Sequence, residues 1–153
     1  TGVEQAPDGQ WVVQSSSHPE ARADAVVLAC PAYQQSAILE SVNETLAREL
    51  AEIPYTPAAV VSLGFQRSQI QAALDGFGYL TPQRLGRPVL GVLWSSSIFD
   101  DQAPTDCVQL RAILGGWSRK DVMDCDDDQM IRHVCDDLHE SLGISRDPAF
   151  SWI

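Results

Sequence analysis

Gly76-Phe77-Gly78 sets one flat ring between two residues that carry no side chain, and it is the most distinctive chemical feature of the chain. A glycine in an extended segment marks a bulge or a place where something approaches the backbone closely. A ring beside bare backbone suits a flat ligand. The same pattern also fits a bulged strand whose Phe77 sits in an ordinary core. The cations near this segment are Arg84, Arg87 and Arg111, and a guanidinium suits a carboxylate. For Arg84 and Arg87 a surface charge, or a partner to the abundant acids, is the preferred reading. Ser95-Ser96-Ser97 has no Gly-x-Ser-x-Gly setting and no nearby His, so it does not read as a hydrolase nucleophile. His133, Cys135 and His139 invite a metal, but successive helical residues turn by about 100°. Cys135 and His139 can then share a face while His133 points elsewhere, which reads as a buried thiol and two surface histidines. The acids from Asp121 to Asp128 lack the central Gly and closing Glu of a calcium loop and read as a solvated, helix-capping face.

The elements that must position these groups follow from periodicity. Residues 1–30 read as a hairpin: Ala6-Pro7-Asp8-Gly9 is a turn signal, Trp11-Val12-Val13 is one strand, and Ser15-Ser16-Ser17-His18-Pro19 is a loose loop before the next. Ala25-Val26-Val27-Leu28 reads as a second strand, apolar without interruption and therefore buried on both faces. Helical spacing covers 32–40 and 43–52, with Ile38/Val42 and Leu46/Leu50 paired, Asn43 as N-cap and Glu44/Arg48 at i,i+4. Ile53-Pro54-Tyr55-Thr56-Pro57 stops the second helix. Strands are expected over 59–65, 89–95 and 108–114, separated by turns rather than helices, which predicts an antiparallel sheet. Ser95 is read as the end of its strand, and 66–73 as a short helix or turn. Along the third strand Val108, Leu110, Ala112 and Leu114 share one face, and Gln109, Arg111 and Ile113 the other. The mixed face is the better ligand face. Residues 126–142 form the clearest helix, with Ile131, Val134, Cys135, Leu138 and Leu142 as its apolar stripe and Gly143 as its stop. Asp126 to Asp128 sit at its positive end, where carboxylates stabilise by about 0.3–1 kcal/mol each. Residues 149–153 read as a further strand. The class is α+β, an antiparallel sheet with covering helices.

Composition excludes several functions. The net charge is −11 and Lys120 is the sole lysine. Phosphate backbones need clustered cations, so nucleic acid is not a partner, and electrostatic docking to anionic membranes is disfavoured. No apolar run approaches the ~18 residues of a spanning helix, and Thr1-Gly2-Val3-Glu4 has no signal-peptide pattern. Cys30, Cys107, Cys125 and Cys135 have no Cys-x-x-Cys spacing and read as reduced thiols in a cytoplasmic setting.

Several segments, in order, resemble the protoporphyrinogen oxidase family of the flavin-containing amine oxidase group. They are Ala23-Asp-Ala-Val-Val-Leu-Ala-Cys-Pro-Ala32, Gly76-Phe-Gly-Tyr-Leu-Thr-Pro82, Leu90-Gly-Val-Leu-Trp-Ser95 with Phe99, and Leu110-Arg-Ala-Ile-Leu-Gly-Gly116. The helix from Asp127 resembles the one before the family's last strands. The resemblance implies FAD-dependent oxidation of protoporphyrinogen IX, or of coproporphyrinogen III, with molecular oxygen as acceptor. It implies a porphyrinogen pocket in which Phe77 lies against the macrocycle, Gly78 brings backbone near its centre, and Leu80, Leu93 and Ile113 form the walls. No catalytic acid or base stands out, which suits chemistry performed by a cofactor. It further implies that 1–57 are a fringe of the FAD domain and 58–153 a portion of the substrate domain. Peripheral membrane contact would come from an insert upstream of Thr1.

Two departures qualify the resemblance. Trp117 stands one position before the family's aromatic and receives no role. The Gly-x-Gly-x-x-Gly flavin fingerprint does not occur in these residues, nor does the N-terminal arginine that meets a substrate propionate. The chain is therefore expected to be an interior piece of a longer enzyme that does not retain FAD, is inactive alone, and self-associates through uncovered apolar surface. Two other readings remain open: a different flavin amine oxidase relative, such as a carotenoid desaturase or an amine oxidase, and a non-enzymatic domain that binds an apolar ligand or a protein.

Overall fold

The computed structural model describes residues 2–153. The chain forms two compact units that meet in sequence at Tyr55 and Thr56. The first begins with an antiparallel sheet of three strands, β1 (Gly2–Gln5), β2 (Trp11–Gln14) and β3 (Ala21–Ala23). The Ala6–Gly9 turn is closed by the Gly9 amide donating to the Ala6 carbonyl. Two helices follow, α1 (Ala32–Leu39) and α2 (Glu44–Ala51). Asn43 caps α2 by accepting from the Leu46 amide at 3.0 Å, and Glu44 pairs with Arg48 at 3.8 Å.

Two expectations fail in this unit. The strand over 25–28 does not form: β3 lies earlier, at 21–23, and Val27 is 90 % exposed. An apolar run becomes a strand only when a neighbour completes its hydrogen-bond ladder, and β3 takes the available edge of β2. The helical stripe is also misread. Val42 lies in the turn between the helices, Leu46 is exposed, and the buried residues are Ala32 and Ala47. Small residues let α1 and α2 approach closely, and the Ser36 hydroxyl donates to the Ala47 carbonyl at 2.7 Å.

The second unit is a five-stranded antiparallel sheet, β5-β6-β7-β4-β8, built from β4 (Ala58–Gln66), β5 (Gly78–Leu80), β6 (Val89–Leu93), β7 (Cys107–Gly115) and β8 (Phe150–Trp152). The period-2 alternation puts Val61, Leu63 and Phe65 of β4 and Val108, Leu110, Ala112 and Leu114 of β7 in one buried layer. Val89 and Val92 of β6 join them. The long helix α4 (Asp127–Leu142) supplies Met130, Val134 and Leu138 to the same cluster. Burying each such side chain contributes about 1.5–3 kcal/mol. Asp126 and Gln129 form a reciprocal capping box at the start of α4, and left-handed Gly143 ends it. The expected stripe of α4 is right at Val134 and Leu138, but Ile131, Cys135 and Leu142 are only half-buried. Ser95 does not end β6; it opens a short helix, α3 (Ser95–Ile98), and is itself buried. The whole is α+β, as the turn-separated strands suggest.

Candidate functional site: an open apolar sheet face

The register of the second sheet fixes which side chains share its uncovered face. Gly78 pairs with Leu93, Leu93 with Arg111, Arg111 with Ser62, and Ser62 with Trp152. Directly opposed residues project from the same side of a sheet. Two residues along, Leu80, Gly91, Ile113 and Val60 form the neighbouring row on that side. The opposite, core side is the row of Tyr79, Val92, Ala112 and Val61. Leu80 is 85 % exposed, and Leu93, Val60 and Trp152 are also exposed, while Ile113 is half-buried. Beyond Arg111 the same side continues into a cavity of about 460 Å³ lined in part by Gly64, Gln66, Cys107, Gln109 and Phe150. The face is an open platform rather than a walled slot.

Backbone contact dictates two glycines of this face, Gly78 and Gly91. At Gly78 φ is +143°, and a Cβ there would lie 1.9 Å from the Val92 carbonyl oxygen. The close approach that demands glycine at 78 is thus β5 on β6. A Cβ at Gly91 would meet the Tyr79 carbonyl oxygen at 2.6 Å and a Leu80 methyl at 2.9 Å. Its bare backbone leaves room for Leu80. Beside it, Leu90 is the extra residue of a bulge, since the register of β6 on β7 shifts between Val89 and Gly91.

A buried polar contact ties this strand to α4. The Tyr79 hydroxyl donates to Asp137 at 2.6 Å, and Arg87 donates to the same carboxylate at 3.2 Å and reaches Glu140 at 2.7 Å. Asp137 is buried, so its charge requires these partners. Tyr79 lies between Gly78 and Leu80 in β5, and its anchorage therefore fixes the pitch of both. Burial, and next the bond to Asp137, pushes the Tyr79 hydroxyl far above its ordinary range. A group whose folded pKa is raised contributes stability that is complete below its unfolded pKa, about 10 for tyrosine. That stability is lost as pH climbs from there. Thermal unfolding scans from pH 8 to 11.5 should show an alkaline loss of Tm that is smaller in Tyr79→Phe. Equal slopes in the two proteins would refute the coupling.

The site residues expected from sequence are thus partly gathered. Gly78, Leu80, Leu93 and Ile113 share the open face. Phe77 is 74 % exposed, which excludes the core alternative for its ring. Its carbonyl accepts from the Trp94 amide at 2.9 Å, placing it beside β6 just past Leu93. The positive φ at Gly78 breaks the strand alternation, so register does not assign Phe77 to the face. Arg87 partners acids, as preferred; Arg111 stands on the open face. Sequence reading missed Tyr79 and Asp137. A tyrosine at the alternate position of the strand, and an acid one turn from Val134 in α4, were the available signals. The Trp117 ring lies 4.8 Å from the Lys120 ammonium. In the helix, His139 bonds Ser145 at 3.0 Å, burial pushes the Cys135 thiol up, and His133 approaches Cys125 at 3.9 Å. No metal-ligating trio converges among the described residues.

Comparison with known proteins decides the family. Residues 1–151 match the model described as flavin containing amine oxidoreductase. The chain belongs to the flavin-containing amine oxidoreductase family. Within it, protoporphyrinogen oxidase 1 of Arabidopsis thaliana chloroplasts is 30 % identical over 144 residues, covering 90 % of this chain and 25 % of that protein. Coproporphyrinogen III oxidase of Propionibacterium freudenreichii is 32 % identical over 131 residues, covering 86 % of this chain and 24 % of that one. A solved structure from Exiguobacterium, described as a candidate protoporphyrinogen oxidase, superposes with a TM-score of 0.73 at 22 % identity, covering 99 % of this chain and 32 % of that one. The resemblance to protoporphyrinogen oxidases read from the motifs is upheld. The chain spans about a quarter of the length of these curated relatives.

The family is flavin-containing, and a dinucleotide flavin needs a glycine-rich turn opening a helix to hold its pyrophosphate. Neither close glycine pair supplies one. Gly76 and Gly78 lead into β5, and Gly115 and Gly116 close β7 against Pro57 and Leu90. The described residues do not form a pyrophosphate cradle.

Proposed function

We propose that this chain forms the porphyrinogen-binding sheet of an FAD-dependent oxidase acting on protoporphyrinogen IX or coproporphyrinogen III, with oxygen as acceptor. The first unit is a fringe of the FAD domain and the second is substrate domain. One observation carries the proposal: Gly78, Leu80, Leu93 and Ile113 lie on one uncovered sheet face. An exposed apolar platform of this kind marks a binding surface, and a tetrapyrrole is a broad, flat, apolar body with carboxylates at its edge. The relatives named protoporphyrinogen and coproporphyrinogen oxidases favour that ligand over an amine. A bound FAD would supply the hydride acceptor, and no acid or base on this face is needed for that chemistry. The residues of this chain hold the ring flat, exclude water from its underside and set its distance by the pitch of β5.

Kinetics of the full-length, flavin-loaded enzyme test this reading. Leu93→Ala removes three buried carbons from the complex, worth about 2 kcal/mol, or roughly thirtyfold in affinity. KM for the porphyrinogen should rise by about that factor while flavin content stays constant. Phe77→Ala should also raise KM more than it lowers flavin content. Unchanged KM with lost flavin in both variants refutes the assignment.

A further inference from the structure

The open face also carries a charge pattern that its apolar residues do not explain. The chain has 21 Asp and Glu against 10 Lys and Arg. Yet the paired positions of this face hold no acid: they are Ala58, Val60, Ser62, Gly64 and Gln66 on β4, with Gly115, Ile113, Arg111, Gln109 and Cys107 opposite on β7. On β5 and β6 they are Gly78, Leu80, Leu93 and Gly91, and on β8 Phe150 and Trp152. Arg111 is the single charge among them. Other arginines are engaged: Arg22 with Asp8, Arg48 with Glu44, Arg87 with Asp137 and Glu140, and Arg119 with Asp121. Arg67 donates to the Ile70 and Ala72 carbonyls. Among the described residues no carboxylate lies within ion-pair distance of Arg111. It is exposed, between Leu93 and Ser62 across the sheet and next to Ile113 along its own side.

We propose that Arg111 receives a carboxylate of the tetrapyrrole and so fixes which edge of the ring lies over β7. This deepens the porphyrinogen reading and rests on it. A chain of net charge −11 repels a polyanion at long range. A face cleared of acids and furnished with one free guanidinium reverses that repulsion locally. The guanidinium offers a planar fork of donors that matches a carboxylate with two parallel bonds. Leu80, Leu93 and Ile113 take the apolar part of the ring on one side of Arg111. Apolar surroundings exclude water and strengthen the ion pair relative to an exposed one. A flat macrocycle on a flat platform can rotate in its own plane, and an anchored carboxylate removes that freedom.

The test uses the full-length, flavin-loaded enzyme with two substrates: the porphyrinogen as free acid, and its methyl ester, in which the carboxylate charge is gone. Arg111→Met should raise KM for the free acid about tenfold, leave KM for the ester within twofold, and leave flavin content unchanged. Arg111→Lys, which keeps the charge but not the fork, should fall between. A free-acid to ester KM ratio that is the same in wild type, Arg111→Met and Arg111→Lys overturns the role of Arg111 and leaves the porphyrinogen reading standing. If the wild-type enzyme, with flavin bound, oxidises neither the acid nor the ester, the porphyrinogen reading itself fails and the proposal fails with it.

Discussion

Gly78→Ala is expected to strip β5 from the sheet. The added Cβ would stand 1.9 Å from the Val92 carbonyl oxygen, well inside any tolerable contact, and the residue would keep a φ of +143° that L side chains rarely adopt. The obstacle is backbone, so no rotamer change relieves it. Strain of this kind costs about 1–3 kcal/mol and the overlap a similar amount, together about 3 kcal/mol or more. The sheet escapes by giving up the pairing of Gly78, Tyr79 and Leu80 with β6. Leu80 then leaves the platform. Amide hydrogen exchange should show new fast exchange confined to 76–82 and its partners on β6, with the β4–β7 ladder still protected. In the full-length enzyme, porphyrinogen turnover should fall below a hundredth of wild type. Unaltered exchange at 78–80 would show that the strand accommodates a methyl group and would contradict the geometry.

Removing the Asp137 carboxylate should be the most damaging change in the core. Asp137→Ala leaves the part-buried Tyr79 hydroxyl and the Arg87 guanidinium without the acceptor they share. Losing one member of a buried polar cluster costs about 2–4 kcal/mol, because the others remain desolvated and unpaired. Glu140 still holds Arg87, so the loss falls chiefly on Tyr79. Pairing Asp137→Leu with Tyr79→Phe replaces both partners by apolar groups and should recover most of that stability. Urea denaturation midpoints of the purified chain measure all three proteins. A single variant within about 0.5 kcal/mol of wild type, or a double variant worse than Asp137→Ala, would remove the network from the account. The open sheet face should feel the loss as well, since Tyr79 holds the strand that presents Leu80.

The central strands of the second unit, β4, β6 and β7, were legible because each contributes buried apolar residues to the core. The alternation over 108–114 is visible in the residues themselves, and so is the partition between Leu110/Ala112/Leu114 and Arg111/Ile113. That partition already separates the buried face from the uncovered one. The helix over 127–142 announced itself through its apolar stripe, the acids Asp126 to Asp128 at its start and Gly143 at its end, all of them local signals. Long-range partners were not legible. Nothing local says that Tyr79 bonds Asp137, fifty-eight positions on, or that Gly78 abuts Val92. Glycine at 78 reads equally as room for a ligand or room for a strand; the register shows the strand. Val26-Val27-Leu28 failed for the converse reason. Its apolar run is a strand signal, but a ladder needs a partner, and β3 occupies the edge of β2. In α1 and α2 the long apolar residues suggested the contact, while Ala32 and Ala47 make the buried positions. Close helix approach selects for small side chains, which hydrophobic periodicity underweights.

The most direct measurement is a structure of the full-length, flavin-loaded enzyme with a porphyrin bound in place of the porphyrinogen. The ring should lie over β5, β6 and β7 on the side bearing Leu80, Leu93 and Ile113, with a carboxylate at Arg111. A porphyrin seated elsewhere, with that face covered by protein, would contradict the assignment of this sheet as the substrate platform.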